Sequence, residues 1–265
     1  MRIIQLTDCH ICGDIASNFD GINTKATFDC VLDSVLKVRK ADLIIGTGDI
    51  SMDGSSQAYS WLQRRLNKAN LPVILIPGNH DKPDEFSAQT GSKCFARYNS
   101  VVREPWCFHF LNTAKSGHHA GKILKADLME LSLKLQAQSK SFHAIFMHHP
   151  PVSVGSIWLD EIGLKNAADF WDHLRPVLNV KLIVCGHIHQ ELDIINNGVR
   201  VLASPSTCLQ FKPLTDEYTS DSLEPGFRVI DFLSGGGIET EVIRVKSPLA
   251  PQSITISRDV LNKRA

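Results

Sequence analysis

Arg2-Ile3-Ile4-Gln5-Leu6-Thr7-Asp8-Cys9-His10 begins the chain with an apolar run that stops on an aspartate and a histidine two residues apart. The run is short and rich in isoleucine, so it predicts a strand over 2–7 that is buried on both faces. The same pattern returns at 42–47, 72–77, 142–147 and 181–185. These runs end in Gly48-Asp49, Gly78-Asn79-His80-Asp81, His148-His149-Pro150-Pro151 and Gly186-His187-Ile188-His189. Between them, Phe28, Val31, Leu32, Val35 and Leu36 are spaced as one face of a helix. Ala58, Leu62, Leu66 and Ala69 repeat that spacing more weakly, as do Leu124, Leu128, Leu131 and Leu135. Strands alternating with amphipathic helices predict an α/β fold with helices over the sheet faces.

The last third changes character. Residues 191–195 and 199–203 flank Asn196-Asn197-Gly198, a hairpin signal in which Asn-Gly supplies positive φ angles. A second hairpin is expected from 227–233 and 238–245 around Gly235-Gly236-Gly237. Residues 204–225 lack a clean period and read as a long loop. No repeat or linker interrupts the chain, so 1–247 reads as a single domain and 248–265 as a C-terminal tail.

Composition removes several classes of function. Lys plus Arg and Asp plus Glu are both 28 in 265 residues, and this balance argues against nucleic acid as a partner. No apolar run approaches the roughly 18 residues a membrane span needs. Asp8 comes too early for a signal-peptide core. Seven cysteines (Cys9, Cys12, Cys30, Cys94, Cys107, Cys185, Cys208) are odd in number and scattered, which predicts reduced thiols and a cytoplasmic protein. Cys9-x-x-Cys12 has no second pair to complete a zinc site.

The polar strand ends carry the chemistry. In an open α/β sheet, ligands and reacting groups gather beyond the carboxyl ends of the strands. Five strands deliver Asp, Asn or His to that edge. In an extended segment residues i and i+2 face one side, so Asp8 and His10 are expected to project together, and likewise His187 and His189. Gly48, Gly78 and Gly186 are expected to let the backbone turn sharply. Each piece alone has an ordinary explanation: Asp49 as a helix cap, Asn79 as a turn residue, one imidazole of the pair as a loop hydrogen-bond donor. Their co-occurrence favours a metal site. Imidazoles, carboxylates and one amide, without thiolate, suit Fe, Mn, Zn or Co, and seven donors are about right for two ions sharing a carboxylate.

This ordered set of motifs resembles the calcineurin-like metallophosphoesterase superfamily. From about 142 to 245 the chain is similar, nearly continuously, to the bacterial class III 3′,5′-cyclic AMP phosphodiesterases; the similarity is weak between 82 and 141. The resemblance implies an α-β-β-α sandwich, two mixed sheets flanked by helices, with a dimetal site at the strand ends. It implies one metal on Asp8, His10, Asp49 and His189 and a second on Asp49, Asn79, His148 and His187, with Asp49 bridging. His149 is then a neighbour. His80 is no ligand but the catalytic residue that assists the leaving group. His10, Asp49, Asn79, His80 and His189 also surround the substrate. His118 and His119 have no place in the pattern.

Fe and Mn are the expected metals, with Zn or Co as alternatives. The expected partner is a small cyclic nucleotide, with no protein partner evident. The implied reaction opens cyclic AMP to 5′-AMP with a metal-bound hydroxide, lowering cellular cyclic AMP. Hydrolysis of glycerophosphodiesters or other small diesters uses the same residues, and a partner-binding scaffold is disfavoured by the complete ligand set. Only the stretch after 204 bears on the base, with Phe211 or Phe227 as candidates to stack on adenine, although a core position is the more ordinary reading of either.

Overall fold

The computed structural model describes residues 1–14, 18–90, 98–175 and 177–247; Cys94 and the expected tail lie outside the described residues. One sheet is built on three parallel strands, β1 (Arg2–Leu6), β2 (Leu43–Thr47) and β3 (Val73–Ile76). β12 (Gly226–Phe232) pairs antiparallel with the free side of β1, and β13 (Ile238–Arg244) closes the edge. The second sheet contains β4 (Asn99–Arg103), β5 (Trp106–Phe110), β6 (Phe142–Phe146), β7 (Val180–Cys185), β8 (Leu192–Asn196) and β9 (Val199–Ala203). Its order is β4-β5-β6-β7-β9-β8, parallel from β5 to β9 with an antiparallel strand at each edge.

The apolar runs read as continuous because each strand feeds two cores. Ile3, Ile45, Phe108, Phe110, Phe146, Leu182, Leu202 and Ile230 meet between the sheets. Ile4, Leu6 and Ile44 face the other way, onto α1 (Thr24–Val35) and α2 (Ser56–Leu66) through Phe28, Val31, Leu32 and Leu62. Ile145, Ile183 and Val201 face α4 (Lys125–Ala137) and α6 (Ala167–Leu174) through Leu128, Leu131, Leu135 and Phe170. The result is the expected four layers, helix, sheet, sheet, helix. Two short helices, α3 (Pro83–Thr90) and α5 (Ile157–Asp160), follow β3 and β6. No helix among the described residues is long and apolar enough to cross a membrane.

Helix limits are set by side-chain caps more than by the apolar stripe. The Asn23 and Ser55 side chains accept the Ala26 and Ala58 N–H groups and start α1 and α2. Leu36 and Leu124, counted in the helical stripes, instead lie just outside α1 and α4 and are 45% and 55% exposed. Ala69 belongs to a single 3-10 turn after α2. The first expected hairpin forms with Asn197 and Gly198 at φ 50° and 79°. Residues 204–225 are not a plain loop, since β10 (Gln210–Phe211) and β11 (Ser220–Asp221) pair within them. The hairpin β4–β5 falls in the stretch where the sequence pattern is weakest.

Phe108→Ala, at the centre of the inter-sheet core, is expected to cost about 3–5 kcal/mol. Leu124→Ala is expected to stay within about 0.5 kcal/mol. Urea midpoints of the two variants check this; equal midpoints would show that the inter-sheet layer does not dominate stability.

Candidate metal centre

The strand ends do not present their polar residues as extended chain. β1 stops at Leu6, and Asp8 and His10 adopt left-handed conformations with φ of 51° and 45°. Asp49, His187 and His189 do the same, at 49°, 70° and 48°. The expectation that i and i+2 share a face therefore held for the wrong reason. The turns are fixed because the chain after β1 runs along the chain after β2: Asp8 N–H donates to the Gly48 carbonyl at 3.0 Å and His10 N–H to that of Asp49 at 2.9 Å. Of the three glycines, only Gly48 has a positive φ, 98°. Gly78 and Gly186 serve close approach instead, since a Cβ there would strike the Asp49 backbone nitrogen or Thr7 Oγ1.

Two imidazoles have their tautomers set by main chain. The Thr47 carbonyl accepts from His148 Nδ1 at 2.8 Å, and the Leu209 carbonyl from His189 Nδ1 at 2.7 Å. Each bond commits Nδ1 to the main chain and turns Nε2 into the site, where it can ligate once it carries no proton, as outer partners do for metal-ligating histidines. His148 Nε2 lies 3.1 Å from Asn79 Oδ1 and 3.4 Å from Asp49 Oδ2. His189 Nε2 lies 3.1 Å from His10 Nε2 and 3.4 Å from Asp8 Oδ1. Asp49 Oδ2 is also 3.7 Å from His10 Nε2, so it stands between the two groups. His187 N–H holds the Asp8 carboxylate at 3.0 and 3.1 Å, and its ring lies 5.1 Å from that of His148.

The residues fit bound cations. Both ring nitrogens of His187 and Nδ1 of His10 are buried without a hydrogen-bond partner, a condition that buried polar groups rarely tolerate. His149 sits beside them, with a ring nitrogen within 4.8 Å of donor atoms of His148 and His187. Its Nε2–H donates to the His119 carbonyl at 2.9 Å, and Nδ1 accepts from the Thr113 hydroxyl at 2.7 Å. Both of its nitrogens are thus already hydrogen-bonded, unlike those of His187.

The charges act strongly on one another. Burial lowers the pKa of His10 and His187 well below the usual imidazole value. Burial acts the same way on His148, but the Asp49 and Asp8 carboxylates outweigh it and raise its pKa to about 9. Burial would raise Asp49, yet the surrounding imidazoles, His148 first, hold it well below the usual carboxylate range.

Several residues escaped the sequence pattern. Asp81 is buried and accepts from Ile50 N–H, Ser51 N–H, Gly78 N–H and the Tyr59 hydroxyl at 2.9–3.1 Å. It thereby pins the turns that carry Asp49 and Asn79. Phe19 is half-buried with its ring 4.8 Å from that of His10. His119 reaches the mouth, its ring 5.9 Å from that of the half-buried His80; His118 is exposed. His80 N–H donates to Asp49 Oδ1 at 2.9 Å. No local spacing could announce Phe19 or His119, because each is brought in by a loop.

The stretch after 204 lies beside the site, as expected, but as a brace. Ser206 Oγ donates to the Asp8 carbonyl at 2.7 Å. Phe211 is stacked on His189 with ring centres 4.0 Å apart and is packed on Trp158 and Tyr218 behind. Phe227 is fully buried in the core under α1 and α2. Neither ring has a face free for adenine; both take the core position that is the more ordinary reading of each.

A model of the calcineurin-like phosphoesterases matches residues 1–191. The chain is 34% identical over 247 residues to the 3′,5′-cyclic adenosine monophosphate phosphodiesterase CpdA of Escherichia coli K12, covering 92% of this chain and 90% of that one. It is 32% identical to a 3′,5′-cyclic-nucleotide phosphodiesterase of Nostoc, over 97% of both chains. Among solved structures, a dimetal phosphatase from Danio rerio superposes with a TM-score of 0.67 over 97% of this chain at 14% identity, a likeness of fold.

Two outcomes test the donor geometry. His187→Gln is expected to lower bound metal, whereas His149→Gln is expected to retain it, as read by elemental analysis after gel filtration. Because a ligand imidazole must be neutral and His148 titrates at about 9 in the metal-free protein, metal addition at pH 7 should release protons. A pH-stat trace that shows none would contradict the charged His148.

Proposed function

The chain belongs to the calcineurin-like phosphoesterase family, and from that premise we propose that it hydrolyses the 3′,5′-phosphodiester of cyclic AMP to 5′-AMP. One metal is assigned to Asp8, His10, Asp49 and His189, and the other to Asp49, Asn79, His148 and His187. The observation that carries this reading is the convergence of donors on Asp49 Oδ2, which lies 3.4 Å from His148 Nε2 and 3.7 Å from His10 Nε2, with His189 Nε2 3.1 Å from that of His10. When bound, the metal pair supplies Lewis acidity toward water and toward the phosphate oxygens. Donors restricted to nitrogen and oxygen favour Fe and Mn, with Zn and Co as alternatives.

The chain's own residues supply position and a proton. His148 and His189 are locked in rotation by the Thr47 and Leu209 carbonyls, so the rings need not turn when the site fills and His148 gives up only its Nε2 proton. Asn79 presents its amide oxygen beside His148. His80, tied through its backbone to Asp49 Oδ1, stands at the half-buried mouth with its ring free to face a leaving oxygen. The O3′ alkoxide is a poor leaving group until protonated, and imidazole is suited to that donation near neutral pH.

The cyclic nucleotide is supported by 34% identity to a cyclic AMP phosphodiesterase over 92% of the chain. Residues 1–247 act as one domain in this reading, because β12 and β13 return to the first sheet beside β1. The reaction is assigned to the cytoplasm, in keeping with the unpaired cysteines among the described residues.

His80→Ala is expected to keep both metals and lose about 10²–10⁴ in turnover of cyclic AMP. With a bis-nitrophenyl diester, whose leaving group departs without a proton, the loss should be much smaller. Asp49→Ala is expected to lose both ions and Asn79→Ala one. A metal-replete enzyme that cleaves glycerophosphodiesters and ignores cyclic AMP would refute the substrate; two ions retained in Asp49→Ala would refute the bridge.

A further inference from the structure

Cys107, His109 and His143 form a second donor cluster, on the helix-covered face of the six-stranded sheet, that the diester reaction does not use. β5 and β6 pair with Cys107 opposite His143. Phe108 and Phe110 face the inter-sheet core, so the alternate residues Cys107 and His109 face the α4 layer. All three cluster residues are 0% exposed. One ligand atom from each lies within 4.8 Å of the others. His143 precedes His148 by five residues of nearly straight chain, about 16 Å at the usual strand rise, so this cluster is separate from the metal centre.

We propose that Cys107, His109 and His143 bind one thiophilic divalent cation of the zinc or cobalt type, additional to the metals at the strand ends. Ligand atoms around tetrahedral zinc lie about 3.3–3.7 Å apart, given Zn–N near 2.0 Å and Zn–S near 2.3 Å. His109 Nε2 and His143 Nδ1 are 3.0 Å apart and Cys107 offers its sulfur within 4.8 Å of both, so shifts of several tenths of an ångström to about an ångström bring the three to those separations. The Tyr98 hydroxyl lies 2.9 Å from His109 Nδ1. By accepting from Nδ1–H it leaves the Nε2 lone pair turned inward, the usual arrangement behind a metal-ligating histidine.

His143 Nε2 is buried without a hydrogen-bond partner. Cation entry replaces the bond between the two imidazoles. Cys107 releases its thiol proton to solvent, and His143 moves its ring proton from Nδ1 to this free Nε2. Burial raises the Cys107 pKa, while Lys134 on α4 opposes it and favours the thiolate. One thiolate with two imidazoles selects softer ions than the thiolate-free centre does.

Cobalt(II) titrated into the metal-replete enzyme separates the two sites, because only thiolate ligation gives a sulfur-to-cobalt charge-transfer band in the near ultraviolet. The band is expected to saturate at one equivalent. It should vanish in Cys107→Ser, with cyclic AMP turnover unchanged, and fall sharply in His109→Gln. No band in the wild-type enzyme at saturating cobalt would overturn the proposal, and so would a band that persists in Cys107→Ser. The cluster would then be a buried hydrogen-bonded pair beside an inert thiol. Since turnover and the band are read separately, neither outcome depends on the substrate assignment.

Discussion

Five non-glycine residues at the strand ends are held left-handed: Asp8, His10, Asp49, His187 and His189. Each such residue costs about 1–2 kcal/mol in an L-amino acid chain, and a whole domain is stable by only about 5–15 kcal/mol. The cost is tolerable because Asp and His enter this region more readily than most residues. The same two side chains are strong metal donors. Residue choice at these positions therefore answers two demands together, a backbone that turns abruptly and a side chain that ligates. Strain concentrated where donors converge is also what a functional site leads one to expect.

The donors come from both sheets, so the site exists only when the sheets are packed in register. Asp8, His10, Asp49 and Asn79 follow strands of the first sheet; His148, His187 and His189 follow strands of the second. A polar layer beneath them fixes that register. Gln5 in β1 donates to Thr47 Oγ1 at 2.8 Å and to the Cys185 carbonyl at 2.7 Å across the interface, and accepts from the Ser204 hydroxyl. Arg228 in β12 is buried and donates to Ser204 Oγ and to the Ala203 and Leu192 carbonyls. Burial lowers its pKa to about 10, and those acceptors make a buried cation bearable. Apolar packing brings the sheets together without specifying their offset; these directional bonds specify it.

Much of this was legible in the sequence for a simple physical reason. Strands buried on both faces leave uninterrupted apolar runs, so β1, β2, β6 and β7 declared themselves, and the donors could be read from what followed each run. β5 did not: it falls in the weakly patterned stretch 82–141, although only His109 interrupts its apolar run, as His143 does in β6. Asp81 was visible without any sign of what it does. It gathers backbone N–H groups from its own turn and from the turn after β2, and no sequence pattern marks such contacts. For Phe211 and Phe227 the sequence leaves a stacking role open beside the core one, because exposure depends on the neighbours that cover a ring. Phe227 occupies an ordinary inward position of β12, and Phe211 lies flat on His189.

The brace after β9 bears on where substrate discrimination resides. Ser204, Ser206, Thr207, Cys208, Leu209 and Gln210 are all buried. Their bonds run to Gln5, the Asp8 carbonyl and His189. Any change there disturbs the donors before it disturbs a base, so it weakens turnover of every diester alike. Discrimination must instead come from groups whose disturbance leaves the donors in place. His80 and His119 meet that condition: each is at least partly exposed, with His80 beside His10 and His119 beside His80. Phe19 also lies against His10 and His189, but its ring is packed on the core under α4 and α6 as well. The buried floor thus fixes the donors, while the residues above it can change without moving them.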